Sequence, residues 1–292
     1  MFLSQISRKE TVYDDNNSHL LLQQSRHFGE PGKFGGGFSG RPWDLRPLGS
    51  LRGTIPMSIP KTPRSDWAGI IEEREKSGAR LSDLFKLMKV PILNQSRRPY
   101  CWCFGTVGAF MMARAKAGLK TIHFSASSVA ARIKNGRDEG GWAGEAIEGW
   151  LKFGGIYEHK DWPEADNSLS YLNKMNEQQR RAAATHLPSE FMEIPKKDFD
   201  AVMTLLLHGI PVTLGLLWWE HLVYAIDPVV LGNGQFGVRI VNSWGWDWED
   251  GGMSVLAESK ATPDEAFGCR VATASDETSD KINRAFDKAF AA

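Results

Sequence analysis

The sequence is poor in cysteine and has no excess of charge of either sign. Only 3 of its 292 residues are cysteine. Three cysteines cannot form the disulfide framework of a small secreted protein, and Cys101 and Cys103 are too close in sequence to pair comfortably. Lys plus Arg and Asp plus Glu both number 35. This balance removes the general electrostatic argument for nucleic acid or an anionic membrane as a partner.

Long apolar runs are missing as well. No segment approaches the roughly 20 apolar residues that span a bilayer. The first residues, MFLSQISRKETVYDD, lack the apolar stretch of a secretion signal. Cysteine and histidine do not cluster at metal-ligand spacing, so we expect no metal and no other cofactor. We expect a protein that is cytoplasmic or otherwise non-secreted, or that is carried within a larger particle.

Residues 1–64 lack the apolar periodicity of a helix or a strand. They are rich in Gly, Pro, Ser and Arg, and such a segment buries too little surface to offset the entropy lost on ordering. We predict an extended N-terminal arm. Two interpretations stay open: a flexible tail, or an arm that docks through Phe34, Phe38 and Trp43.

Helical patterns begin after the arm. SDWAGIIEEREKSGARLSDLFKLMK predicts two short helices that separate near Gly78, the second capped by Ser82. Apolar residues after Cys101 recur at i, i+3, i+4 and i+7, which predicts a helix running towards Gly118. WAGEAIEGWLKFGG predicts a further helix that ends at Gly154.

Strand patterns dominate the second half of the chain. IPVTLGLL, HLVYAIDPVVL and FGVRIVNSW are rich in β-branched and apolar residues, and Asp227-Pro228 is typical of a turn. Helices followed by an antiparallel sheet predict an α+β fold with two lobes and a cleft. We place a helical lobe at about 90–200, a β lobe at about 205–275 and a C-terminal helix at about 279–291.

Cys101 lies where a helix begins, and this position favours a nucleophile. Unpaired backbone N–H groups and the helix dipole stabilise a thiolate there. Cys103 is two positions further on and projects about 200° around the same helix. Cys103 and Cys269 are both well explained as small buried apolar residues.

The residues around Cys101 resemble the papain-like cysteine peptidases. In that family the nucleophile is followed by Trp-x-Phe and preceded, six residues earlier, by Gln. Here Cys101-Trp102-Cys103-Phe104 matches the first feature, and Gln95 matches the second. The resemblance therefore identifies Cys101, rather than Cys103, as the nucleophile.

Three later segments continue the resemblance. Gly140-Gly141-Trp142 is similar to the family's Gly-Gly segment, whose backbone pairs with an extended substrate. WEHLVYAI resembles the strand that carries the catalytic histidine, which implies His221. NSWGWDWEDGG resembles the Asn-Ser-Trp-Gly segment, which implies that Asn242 orients the histidine and that Trp244 shields their hydrogen bond.

The resemblance implies a two-lobed papain-like domain over residues 65–292. Its helical lobe would carry the cysteine, and its antiparallel β lobe would carry the histidine and the asparagine. The implied activity is a thiol peptidase that hydrolyses a polypeptide substrate through Cys101, His221 and Asn242. Gln95 would donate to the oxyanion, and Gly140, Gly141, Trp244 and Tyr100 would bind the substrate.

The sequence departs from the family in two places beside the nucleophile. Arg98 and Asp138 occupy the positions of a disulfide that the family usually has, which suggests an ion pair in its place. Pro99-Tyr100 replaces the usual Gly-Ser, which bears on substrate binding more than on the triad.

Two alternatives to a peptidase remain. The papain-like body could be a structural or binding component of a larger assembly, anchored by residues 1–64 or by the C-terminal helix. The same triad could also serve amide or acyl transfer other than hydrolysis, because both reactions use one nucleophile, one base and one orienting group.

Overall fold

The computed structural model describes residues 10–25, 36–187, 190–232 and 234–271. Within these ranges the helices are α1 (His19–Gln24), α2 (Arg64–Ser77), α3 (Leu81–Leu87), α4 (Cys101–Lys116), α5 (Ala126–Lys134), α6 (Ala143–Lys152), α7 (Ser170–Lys174), α8 (Glu177–Thr185), α9 (Phe199–Leu207) and α10 (Glu258–Ala261). The strands are β1 (Val12–Tyr13), β2 (Thr54–Pro56), β3 (Glu190–Ile194), β4 (Val212–Leu216), β5 (His221–Gly232), β6 (Gln235–Val241), β7 (Met253–Ala257) and β8 (Glu265–Arg270).

The strands form one eight-stranded sheet in the order β1-β7-β6-β5-β4-β8-β3-β2. The six inner strands pair antiparallel, and the two edge strands, β1 and β2, pair parallel with their neighbours. Both edge strands come from the N-terminal arm. The predicted α+β fold is confirmed.

Helix α4 is the central helix of the molecule. Every residue of α4 except Arg114 and Lys116 is buried, which is typical of a helix enclosed on all sides. Two glycines allow it to approach β5 closely. A Cβ atom on Gly105 would lie 2.4 Å from Leu222 Cδ2, and one on Gly108 would lie 2.3 Å from Tyr224 Cε1.

Two large apolar clusters cover the sheet. One contains α4 with α5, α6 and their neighbours, and it reaches β5 through Leu222, Tyr224 and Ile226. The other contains α9, parts of α2 and side chains such as Leu214 and Val223. Because Leu222 and Val223 alternate along β5, they place the sheet between the two clusters.

The helix boundaries near Gly78 are as predicted, but the predicted cap and turn are wrong. Gly78 ends α2 with a φ of 68°. Ser82 lies inside α3, and its backbone N–H, like that of Leu81, donates to the Asp227 carboxylate. Asp227 is not a turn residue: β5 continues through it with a register shift, because its buried carboxylate pairs with α3 and Arg239.

The arm contributes more regular structure than its composition predicts. β1, α1 and β2 all lie within residues 1–64, and β3 joins the sheet although it precedes the predicted β lobe. β1 and β2 pair with strands more than 130 residues away in sequence, which local periodicity cannot reveal. The predicted C-terminal helix at about 279–291 lies outside the described residues. In the described part of the chain, no helix has the length and apolar composition of a membrane span.

Candidate active site

Cys101 is the first residue of α4 and is completely buried. The predicted start of this helix is confirmed. Its sulfur is near the backbone N–H groups of Trp102, Leu222 and Phe38. Cys103 points elsewhere, since its thiol donates to the Ala126 carbonyl at 3.3 Å.

His221 opens β5 directly beside the nucleophile, because the residue after it, Leu222, contacts the Cys101 sulfur through its amide. His221 Nε2 and Asn242 Oδ1 are 2.8 Å apart. Asn242 Oδ1 also accepts from the Ser243 N–H at 2.8 Å, which fixes its direction. Among the described residues, His221 Nδ1 has no hydrogen-bond partner, so this nitrogen is the one that can take a proton from a thiol.

Gln95 is held against the same loop as Asn242. Its Oε1 accepts from Ser243 Oγ at 2.5 Å, and its Nε2 donates to the Arg98 carbonyl at 2.7 Å. An isolated bridge between Asn94 and Trp244 joins the two loops. The structure therefore brings Cys101, His221, Asn242 and Gln95 into one site.

The N-terminal arm runs through this site. Gly141 N–H donates to the Gly37 carbonyl at 2.8 Å, and Ser39 N–H donates to the Gly141 carbonyl at 2.9 Å. The Gly37 and Phe38 N–H groups donate to the Glu220 carbonyl at 3.0 and 3.1 Å. The arm thus occupies the backbone of the Gly-Gly segment that the sequence assigns to substrate.

Phe38 of the arm lies beside the nucleophile. It is parallel to Gly141, and its N–H, which donates to the Glu220 carbonyl at 3.1 Å, is one of the backbone groups that lower the pKa of the Cys101 thiol. Its ring covers Gly215, where an added Cβ atom would lie 2.3 Å from Phe38 Cζ. The arm therefore fills the space between the Gly-Gly segment and the start of β5.

Burial favours the neutral forms of the thiol and the imidazole. It raises the pKa of Cys101 to about 12, although four backbone N–H groups oppose the shift. It lowers the pKa of His221 to about 4, although the Asn242 hydrogen bond opposes this shift. The thiolate that the helix position predicts is therefore disfavoured in the described conformation.

Two tryptophans enclose the imidazole of His221. Trp244 lies 4.8 Å from it between ring centroids, and Trp219 lies 4.7 Å from it. The sequence motif identifies Trp244 but not Trp219, because no local pattern marks the contact of Trp219 with His221.

Arg98, Asp138 and Tyr100, which differ from the papain-like motif, each have a partner in the structure. Arg98 and Asp138 form the predicted ion pair, with Asn167 donating to the other Asp138 oxygen at 3.2 Å. Tyr100 is buried, and its hydroxyl donates to the Arg137 carbonyl at 2.8 Å. Its polar end is directed into the helical lobe, and its role in substrate binding stays a prediction.

One further cluster contains potential metal ligands. His123, His159 and Glu164 have ligand atoms within 4.8 Å of one another, and the two imidazoles stack. His123 Nε2 pairs with one Glu164 oxygen, and Asn94 N–H donates to the other at 2.6 Å. Glu164 N–H donates to His159 Nδ1 at 3.2 Å. His123 Nε2, His159 Nδ1 and both Glu164 oxygens therefore already have hydrogen-bond partners within the protein.

Solved cysteine proteases share this architecture. Xylellain from Xylella fastidiosa has a TM-score of 0.56 at 14% identity, over 85% of this chain and 100% of that one. Procathepsin L 3 from the Tenebrio molitor larval midgut has a TM-score of 0.55 at 16% identity, over 76% and 75%. Bromelain from Ananas comosus has a TM-score of 0.51 at 17% identity, over 63% and 94%.

This chain has the papain-like fold. The similarity is one of structure, because no protein-family model and no curated protein sequence matches the chain. A papain-like fold agrees with the two-lobed architecture that the sequence motifs predict.

Proposed function

We propose that the protein is a thiol peptidase that hydrolyses polypeptides through Cys101, His221 and Asn242. The observation that carries this proposal is the orientation of His221. Its Nε2 is bound to Asn242, while its unpartnered Nδ1 lies at the start of β5, which packs on the start of α4. These contacts support a role for His221 as the base, for Asn242 as the group that orients it and for Cys101 as the nucleophile.

In the proposed reaction His221 Nδ1 takes the thiol proton, and Cys101 Sγ attacks the carbonyl carbon of the peptide bond. The imidazolium then returns the proton to the leaving amine, and a thioester remains. Water, deprotonated by His221, hydrolyses the thioester and regenerates the thiol. The Cys101 N–H and the Gln95 amide would stabilise the oxyanion, a contribution worth about 10²–10³ in rate for each donor.

An extended substrate would pair with Gly141, where the arm lies now. A peptide that runs antiparallel to Gly141 would have the opposite direction to the arm, which is parallel to Gly141. The substrate and residues 36–40 cannot occupy this backbone together. On this proposal the described conformation is a latent form, and residues 36–40 must leave Gly141 before a substrate can bind.

A second candidate function is a non-catalytic component of a larger assembly. It is favoured by the complete burial of Cys101 and by the neutral state that burial imposes on the thiol and the imidazole. In that case the arm would be a permanent part of the domain, and residues 1–64 or the C-terminal helix would contact the partner.

The deciding experiment is to displace the arm and assay peptide hydrolysis. Gly37 has a φ of 149°, and a Cβ atom there would lie 2.3 Å from the Pro99 carbonyl oxygen. Gly37→Ala should therefore expel the arm, as should Phe38→Ala by emptying the space over Gly215. Gly49→Ala is the matched control, because it has positive φ but its Cβ would lie 3.6 Å from the nearest atom.

We expect Gly37→Ala and Phe38→Ala to cleave a mixed peptide pool, Gly49→Ala to resemble the parent chain, and Cys101→Ala to abolish the gain. A reactive Cys101 that alkylates rapidly but releases no peptide products would contradict hydrolysis and favour acyl transfer. An inert Cys101 in both opened variants would favour the non-catalytic component.

A further inference from the structure

Aromatic side chains contact one another beside His221. Trp218 stacks on Trp219 at 5.7 Å between ring centroids, Trp219 lies 4.7 Å from His221, and Trp244 lies 4.8 Å from His221. Trp219 and Trp244 are themselves 5.5 Å apart and nearly perpendicular. The three centroids form a compact triangle, so the two indoles form a corner around the imidazole.

The proposed reaction requires a charged imidazole in a site that disfavours charge. His221 is fully buried, and the Asn242 hydrogen bond is the interaction that opposes the resulting loss of basicity. Among the described residues, no carboxylate forms an ion pair with His221, and its neighbour Glu220 is exposed. The titratable group that α4 brings to the start of β5 is the Cys101 thiol.

An indole face can stabilise the positive charge that burial disfavours on His221. A cation within about 6 Å of a tryptophan ring is stabilised by the ring quadrupole, by about 2 kcal/mol or more where water is excluded. Trp219 is 1% exposed, and its Nε1 has no hydrogen-bond partner among the described residues. A buried tryptophan usually finds such a partner, so hydrogen bonding does not explain this position.

We propose that Trp219 is a positioning residue of this site: its indole confines the imidazole of His221 and stabilises the imidazolium that pairs with the Cys101 thiolate. This inference rests on the proposed function. Trp219 would interact directly with the His221 ring. This role is separate from that of Trp244, which the sequence resemblance implies shields the hydrogen bond between Asn242 and His221. Trp218 contacts Trp219 but has no ring contact with His221 in the described structure, and its Nε1 donates to the Lys260 carbonyl.

The test is the pH dependence of Cys101 alkylation by iodoacetamide, measured in the full-length Gly37→Ala chain. At pH 6 the thiolate depends on the imidazolium, whereas at pH 9.5 it does not. Trp219→Leu should lower the rate constant at pH 6, divided by the rate constant at pH 9.5, by about tenfold. This change corresponds to about 1.4 kcal/mol. Trp219→Phe should lower it less, because a benzene face attracts a cation more weakly than an indole face.

Trp218→Leu is the matched control, since it removes a neighbouring indole of the same turn and should leave the ratio unchanged. If Trp219→Leu does not fold, the same ratio is measured in Trp219→Phe instead. A ratio that stays at the Gly37→Ala value in the Trp219 variants would overturn the inference, even if their stability falls. If Gly37→Ala itself shows reactivity only at high pH, the proposed function fails first, and the inference fails with it.

Discussion

Two buried carboxylates of the sheet each hold the first turn of a helix. Asp227 on β5 accepts from the start of α3, and Glu265 on β8 accepts from Ala143 N–H at 2.9 Å and Gly144 N–H at 3.3 Å at the start of α6. Helix N-termini attract negative charge. Because α6 follows the Gly-Gly segment directly, Glu265 also fixes the position of Gly141 relative to the sheet.

The burial of Glu265 has a measurable consequence for stability. Burial raises the pKa of its carboxyl to about 7, above an ordinary value of 4.5. The folded state therefore binds this proton more tightly than the unfolded state does, and its stabilisation is complete below about pH 4.5 and lost as pH rises through about 7. The loss should be on the order of 3 kcal/mol.

The measurement is urea unfolding of the parent chain and Glu265→Gln between pH 4 and 8. The lowered pKa of His221 has the opposite effect, so the difference between the two proteins isolates Glu265. We expect the parent to lose stability relative to Glu265→Gln as pH rises. Parallel pH dependences would show that Glu265 does not titrate in this range.

The ion pair between Arg98 and Asp138 should contribute little. Their side chains are 31% and 23% exposed, and pairs of this kind are typically worth about 0–1 kcal/mol. A double-mutant cycle with Arg98→Ala and Asp138→Ala should give a coupling free energy below about 1 kcal/mol in urea unfolding. A coupling of 2–4 kcal/mol would instead match the contribution of a disulfide.

At the scale of elements, the arm is the segment that occupies the Gly-Gly backbone of the site. Arg41, just after the segment in the cleft, pairs with Glu193 on β3 at 2.8 Å, and both side chains are buried. Arg41 also donates to the Arg46 and Pro47 carbonyls. Downstream, β2 continues the attachment by pairing with β3.

Arg41→Ala should loosen this attachment. It leaves the Glu193 charge buried without its partner, which typically costs about 3–5 kcal/mol. We expect lower stability in urea and faster iodoacetamide labelling of Cys101 at pH 7. Arg46→Ala is the control, because its partner Glu148 and Arg46 itself are both partly exposed. Equal labelling rates in the two variants would show that the ion pair does not hold the arm in the cleft.

The elements differ in how well the amino-acid sequence predicts them, and the reasons are physical. Helix α4 and the motifs around Cys101, His221 and Asn242 are encoded locally, by apolar spacing and by short residue patterns. β1 and β2 are not, since their pairing partners are distant in sequence. The roles of Trp219 and Glu265 depend on contacts across the fold, and their own sequence neighbourhoods carry no pattern for them.

At the scale of the molecule, the arm is attached to both edges of the sheet. Before the cleft, β1 pairs with β7, and Tyr13 donates to Glu249 at 2.5 Å. After the cleft, Arg41 and β2 attach to β3 at the opposite edge. A single cut in the arm would therefore leave the remaining part of it bound. Residues 36–40 therefore lie between two attached segments of the arm.

The most direct test of this account is alkylation of Cys101 by iodoacetamide from pH 4 to 9, with the modified residue assigned by mass spectrometry. The account predicts slow labelling of the parent chain across this range, because burial raises the pKa of Cys101 to about 12. It predicts rapid labelling of Gly37→Ala below pH 7, and loss of that reactivity when His221→Ala is added. Identical slow profiles for the parent and Gly37→Ala, with an onset near the free-thiol pKa of about 8.5, would contradict it.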